Sequence, residues 1–212
     1  MLEIIKAGGI VMWPLMLCSV VALAIIAERF WSLQTKKICP ENLVAQVWQW
    51  QKNGELNVKK IQALRAGSSL GKVLAAGLVN RHHERYIMKE SIEEAGRHVV
   101  HELGKFLTTL GTIASISPFL GLLGTVIGMI QMFSSVKTGG LGDPAELAGG
   151  ISVALITTAA GLTVAIPSLM FYRYFQGKVD ELVVNMEQEA IKLVEILHGQ
   201  RERDSVSEDQ TK

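Results

Sequence analysis

Three stretches of this 212-residue chain, residues 7–27, 106–136 and 147–172, contain no Lys, Arg, Asp, Glu or His. Each reaches the roughly 20 apolar residues that a helix needs to cross about 30 Å of hydrocarbon. A backbone in lipid must satisfy every N–H and C=O internally, so stretches of this kind span as helices. The fold class that follows is an all-α integral membrane protein with three transmembrane helices. Alternating polarity of the strand type is hard to find anywhere in the chain. The charged fraction of 19% resembles that of a soluble protein only because it averages over this segregation.

The charges between the spans set the orientation. Residues 31–105 carry about a dozen Lys and Arg, whereas the 137–146 loop offers only Lys137 and the N-terminus only Lys6 beside Glu3. The positive-inside rule then places the N-terminus and the 137–146 loop outside, and the 32–105 region and the tail in the cytoplasm. The expected organisation is an outward N-terminus with the first span (1–31), a cytoplasmic helical segment (32–105), the second span (106–136) and a periplasmic loop (137–146). The third span (147–175), a cytoplasmic amphipathic helix (176–199) and a disordered tail (200–212) complete it. The first span reads as a signal anchor: its apolar run exceeds a secretory h-region, and Glu28-Arg29 follow without a small-x-small cleavage site. Cys18 lies in that span and Cys39 in the cytoplasmic segment, so no disulfide framework is implied.

Helical periodicity continues outside the membrane. Val44, Val47, Trp48 and Gln51 mark one side of a short helix over 43–52, ended by Gly54. A second pattern runs over 58–64, a break falls at 65–69, and Leu70, Val73, Leu74, Gly77 and Leu78 resume helical spacing. Met88, Ile92, Ala95, Val99 and Leu103 predict a helix that continues unbroken into the second span, since no proline intervenes. Val179, Leu182, Val183, Met186, Ala190, Leu193, Val194 and Leu197 form an i, i+3, i+4, i+7 stripe that extends the third span.

Within the second span, Gly111, Ser115, Pro118, Gly121, Thr125, Gly128, Met132 and Ser135 recur every three or four residues; in the third, Gly150, Ala154, Thr158, Gly161, Ala165 and Ser168 do the same. Small residues let membrane helices approach, and close packing alone accounts for a motif such as Gly124-x-x-x-Gly128. Thr125 and Thr158, both near mid-span on these stripes, add a weakly polar character, although a Thr hydroxyl can also satisfy itself on its own helix. Pro118 and Pro167 each remove a helix hydrogen bond within a span. Arg81-His82-His83-Glu84-Arg85 reads as a solvated charged face, because adjacent histidines diverge on a helix and no third ligand has metal-site spacing. His98 and His101 read as surface or interface residues. No phosphate loop, nucleophile elbow or zinc-protease signature occurs, so the expectation is no enzyme activity, no cofactor and no metal.

The run Pro118-Phe-Leu-Gly-Leu-Leu-Gly-Thr-Val-Ile-Gly128, followed by Thr157-Thr-Ala-Ala-Gly-Leu and Ala165-Ile-Pro-Ser, resembles the MotA/TolQ/ExbB proton-channel family, most closely its ExbB branch. The likeness covers the three-span order, the large first cytoplasmic segment and the helical tail. MotA itself would require a fourth span. The resemblance implies a homopentameric ring whose second and third spans line a lumen, with Thr125 and Thr158 facing it on the proton pathway. Gly121, Gly128, Ala154, Gly161 and Ala165 pack the helices around it. It further implies an ExbD-like single-span partner supplying a membrane aspartate, a TonB-like protein that receives the work, and a bacterial inner-membrane location. One position departs from the pattern: ExbB and TolQ members often have glutamate where this chain has Val153. The readings set beside an ExbB-like motor are a TolQ-like stator, a passive channel made of this protein alone, and a structural membrane scaffold.

Overall fold

The computed structural model describes the backbone of residues 8–139 and 144–197 and the side chains of 8–134 and 148–197. Among the described residues every regular element is helical, and three of the helices are long and apolar enough to cross a membrane. In chain order they are α1 (Met12–Ser32), α2 (Thr35–Ile38), α3 (Leu43–Lys52), α4 (Val58–Gly67), α5 (Ser69–Val79), α6 (Arg85–Leu103), α7 (Leu107–Gly139) and α8 (Pro144–Leu197). The expected 200–212 tail lies outside the described residues, as does the centre of the 137–146 loop.

The chain folds as two compact units, residues 1–29 with 106–175, and residues 30–105 with 176–212. The first contains the apolar spans. α1 begins one turn later than its uncharged run, after Gly9 takes φ +68° and its carbonyl accepts the Met12 N–H at 3.3 Å. Pro14 follows in the first turn, where no intrahelical donor is needed. Val11, Met12 and Leu15 then pack against Leu120, Ile127 and Ala160. Pro118 and Pro167 lie inside uninterrupted helices.

In the second unit, local signals fix the short helices. Gly54, at φ +67°, ends α3. The Asn57 side chain caps α4 by accepting the Lys60 N–H at 2.9 Å, and the Ser68 hydroxyl caps α5 by accepting from Gly71 N–H at 2.9 Å. Leu70, Val73, Leu74, Gly77 and Leu78 are all buried, as are Met88, Ile92, Val99 and Leu103 on α6 and Val179, Leu182, Met186, Ala190, Leu193 and Val194 on α8. Gly77 permits a close approach of α5 and α6: a Cβ there would lie 2.8 Å from Ile92 Cδ1.

One expectation is overturned. α6 does not run on into α7. The Gly104 N–H closes α6 on the Val100 carbonyl at 2.9 Å, Phe106 turns to φ +64°, and its carbonyl starts α7 by accepting the Leu110 N–H at 3.0 Å. A left-handed aromatic residue is uncommon because its Cβ crowds the carbonyl. Here the Arg29 guanidinium lies 5.6 Å from the Phe106 ring centroid, and Arg29 itself is only 4% exposed at the end of α1.

Candidate functional site

Several small residues singled out in the two spans meet along a seam between α7 and α8. A Cβ at Gly121 would lie 2.9 Å from the Thr157 carbonyl oxygen and 3.1 Å from Thr158 Cα. One at Gly161 would lie 2.6 Å from the Ser117 carbonyl oxygen and 3.1 Å from Gly121 Cα. One at Gly128 would lie 2.9 Å from the Gly150 carbonyl oxygen and 3.3 Å from the Ala154 nitrogen. These are backbone-to-backbone approaches that no larger side chain allows. Ala154 and Ala165 are buried on α8. The small-residue stripes are thus brought together within one chain, and close packing is what their size achieves.

The hydroxyls along these spans behave differently from one another. Ser117 donates to the Ile113 carbonyl at 2.7 Å and Ser168 to the Val164 carbonyl at 2.7 Å, both buried and both satisfied on their own helices. Thr125 is half-buried and donates to the Leu122 carbonyl at 2.6 Å. Thr158 Oγ1 is buried and has no hydrogen-bond partner. A hydroxyl taken out of water without a partner costs about 1–3 kcal/mol. Val153 is half-buried, and its carbonyl accepts from Thr157 Oγ1 at 3.0 Å.

Thr157 is the residue that spacing did not single out. It is fully buried, its Oγ1 lies 3.0 Å from the Val153 and Ala154 carbonyl oxygens, and its side chain fills the notch that Gly124 leaves open. Positions 150, 154, 157 and 161 keep helical spacing as well as 150, 154, 158 and 161 do, so either threonine satisfies the pattern. The signal available was the partner helix: Gly124, three residues after Gly121 and four before Gly128, shares their face and needs a side chain opposite it.

The histidines among the described residues, His82, His83, His98 and His101, lie outside the spans and are exposed. Among the described residues no group of three or more His, Cys, Asp or Glu gathers as a metal site would require. Cys39 is half-buried with its Sγ 4.0 Å from the Leu182 carbonyl oxygen. Burial, and secondarily the Glu189 carboxylate, push its thiol up to about 11.

Residues 65–188 match the model of the MotA/TolQ/ExbB proton channel family. An ExbB-like biopolymer transport protein of Synechocystis is 35% identical over 169 residues, covering 78% of this chain and 66% of that protein. The biopolymer transport protein exbB1 of Vibrio cholerae is 33% identical over 188 residues, covering 84% of this chain and 80% of its own. The ExbB of Aquifex aeolicus is 36% identical over 108 residues, covering 49% and 73%. The chain therefore spans just under two thirds of the Synechocystis relative's length and four fifths of the Vibrio one's.

Proposed function

This chain belongs to the MotA/TolQ/ExbB proton channel family, and from that membership we propose that it is the ExbB-like subunit of an inner-membrane motor driven by the proton-motive force. In this reading several copies, five by family resemblance, surround the single span of an ExbD-like partner whose aspartate carries the proton. A TonB-like protein passes the work to outer-membrane transport. The N-terminus faces the periplasm and the C-terminus the cytoplasm.

The observation that carries the reading is the absence of any Lys, Arg, Asp, Glu or His from the three apolar stretches 7–27, 106–136 and 147–172. A chain so built cannot carry a proton through mid-membrane on its own side chains. A partner carboxylate can, and burial beside hydroxyls in place of water raises its pKa toward a usable range. The energies are commensurate: one charge crossing about 100 mV is worth about 2.3 kcal/mol, against about 2.5–3.5 kcal/mol for an ionised Asp at a helix centre. The neutral acid can therefore pass where the ionised one is held back.

Thr158→Val and Thr125→Val test it. Each keeps the shape of the side chain and removes the hydroxyl. Proton-dependent work, read as TonB-dependent uptake in cells that lack the native subunit, should fall at least tenfold while the variants still assemble. Unchanged uptake with both substitutions would sink the reading and leave a scaffold.

A further inference from the structure

A group that the motor does not use sits where α1 leaves its apolar run. Trp31, in the last turn, is 68% exposed. Lys36 and Lys37, on the single turn of α2, are exposed beside it in sequence. The Lys37 Nζ lies 4.4 Å from the Trp31 ring centroid and 3.4 Å from the Trp31 carbonyl oxygen, so the ammonium is held over the indole. Leu33 and Ile38 bracket this turn and are 4% and 3% exposed, which fixes the segment while its polar residues face outward.

The two lysines also differ from four other lysines of the second unit. Lys60, Lys72, Lys178 and Lys192 each have a glutamate oxygen within 2.9 Å. Among the described residues neither Lys36 nor Lys37 has an ion-pair partner, and Glu28, the preceding acid, is engaged by Arg29. The uncharged run of the first span ends at Ala27, which puts these residues at the depth where hydrocarbon gives way to headgroups. An exposed indole flanked by two uncompensated cations at that depth matches a phosphate above a glycerol backbone.

We propose that Trp31, Lys36 and Lys37 form a binding site for the headgroup of an anionic phospholipid, the lysines taking the phosphate and the indole packing on the glycerol and upper acyl chain. Lysines act as point charges without a rigid fork, so the site selects negative charge and not one headgroup. Each such cation shifts partitioning toward an anionic lipid about fivefold. The site requires only that α1 lie in a membrane, and it stands or falls independently of the motor reading.

The test uses the full chain in lipid vesicles with Trp13→Phe, Trp48→Phe and Trp50→Phe, which leaves Trp31 as the sole tryptophan. Brominated phosphatidylglycerol and brominated phosphatidylcholine are compared as quenchers at the same low mole fraction. The expected result is severalfold stronger quenching by phosphatidylglycerol, lost in Lys36→Gln/Lys37→Gln and retained in Lys59→Gln. Equal quenching by the two lipids with the lysines in place overturns the site and leaves Trp31 an interfacial anchor, and quenching by neither removes it from the lipid altogether. If the triple tryptophan variant does not fold, native mass spectrometry of the otherwise unaltered chain counts retained phosphatidylglycerol with and without Lys36→Gln/Lys37→Gln. Equal retention overturns the proposal.

Discussion

Phe106 holds a backbone conformation that costs an ordinary residue about 1–2 kcal/mol, and the Arg29 guanidinium over its ring returns a comparable amount, about 0.5–2 kcal/mol. The balance predicts the order of its variants. Phe106→Gly loses the ring and also the strain, so the thermal midpoint in detergent should move little. Phe106→Val loses the ring and places a β-branched side chain at φ +64°, and should be destabilising by about 2 kcal/mol. Finding the valine variant no less stable than the glycine one would remove strain from the account. Cys39 gives a second test at this scale. Its folded thiol, held at about 11 against an ordinary value of 9.0, binds its proton more tightly than the unfolded one. The stabilisation it contributes is therefore complete below about pH 9 and lost as the pH rises toward 11. In a Cys18→Ser background, iodoacetamide labelling of Cys39 should keep accelerating up to pH 11, and Glu189→Gln should lower the midpoint without restoring it to 9.0, since burial is the larger cause. A labelling rate that levels off near pH 9 in the folded protein would contradict this.

At the scale of elements, the same substitution should have opposite signs at two glycines of α8. Gly161→Ala drives a methyl against the Ser117 carbonyl oxygen at 2.6 Å, so α7 and α8 must separate and stability falls by about 1–3 kcal/mol. Gly177→Ala meets nothing within 4 Å and should gain up to about 1 kcal/mol from helix propensity. Thermal unfolding of both variants checks the pair, and equal shifts would mean that the seam is not tightly closed. The helices themselves were legible in the sequence where periodicity and punctuation agree: Gly54 stops α3, Ser68 separates α4 from α5, and the buried stripe of α8 runs as spaced. The break between α6 and α7 was not legible. It depends on a left-handed Phe106 beside an Arg29 that is 77 positions away in sequence, and neither periodicity nor a missing proline carries that information. Thr157 was hidden for a related reason, because two adjacent threonines fit one helical stripe and only the opposing Gly124 separates them.

For the whole molecule, the decisive property is a division of labour along the chain. Residues 8–29 and 106–175 form an apolar unit whose charged residues, Glu28, Arg29, Lys137, Asp143, Glu146 and Arg173, all lie outside the three uncharged stretches, and that buries one hydroxyl without a partner. Residues 30–105 and 176–197 hold most of the charge. A protein that worked alone as an ion-coupled transporter would be expected to place a carboxylate among its spans. On the proposed reading, Val153, where the resemblance leads to the expectation of a glutamate, leaves the carboxylate to a partner still more completely. Co-expression with a single-span protein that carries a buried aspartate, followed by extraction in mild detergent and native mass spectrometry, should then yield several copies of this chain with fewer copies of the partner. Replacing the partner's aspartate by asparagine should preserve the complex and abolish proton-driven work, because the amide keeps the hydrogen-bonding shape but cannot lose a proton. A chain that stays monomeric, or a ring that never retains a partner, would leave these spans without a proton carrier. The small-residue seam would then be their whole purpose.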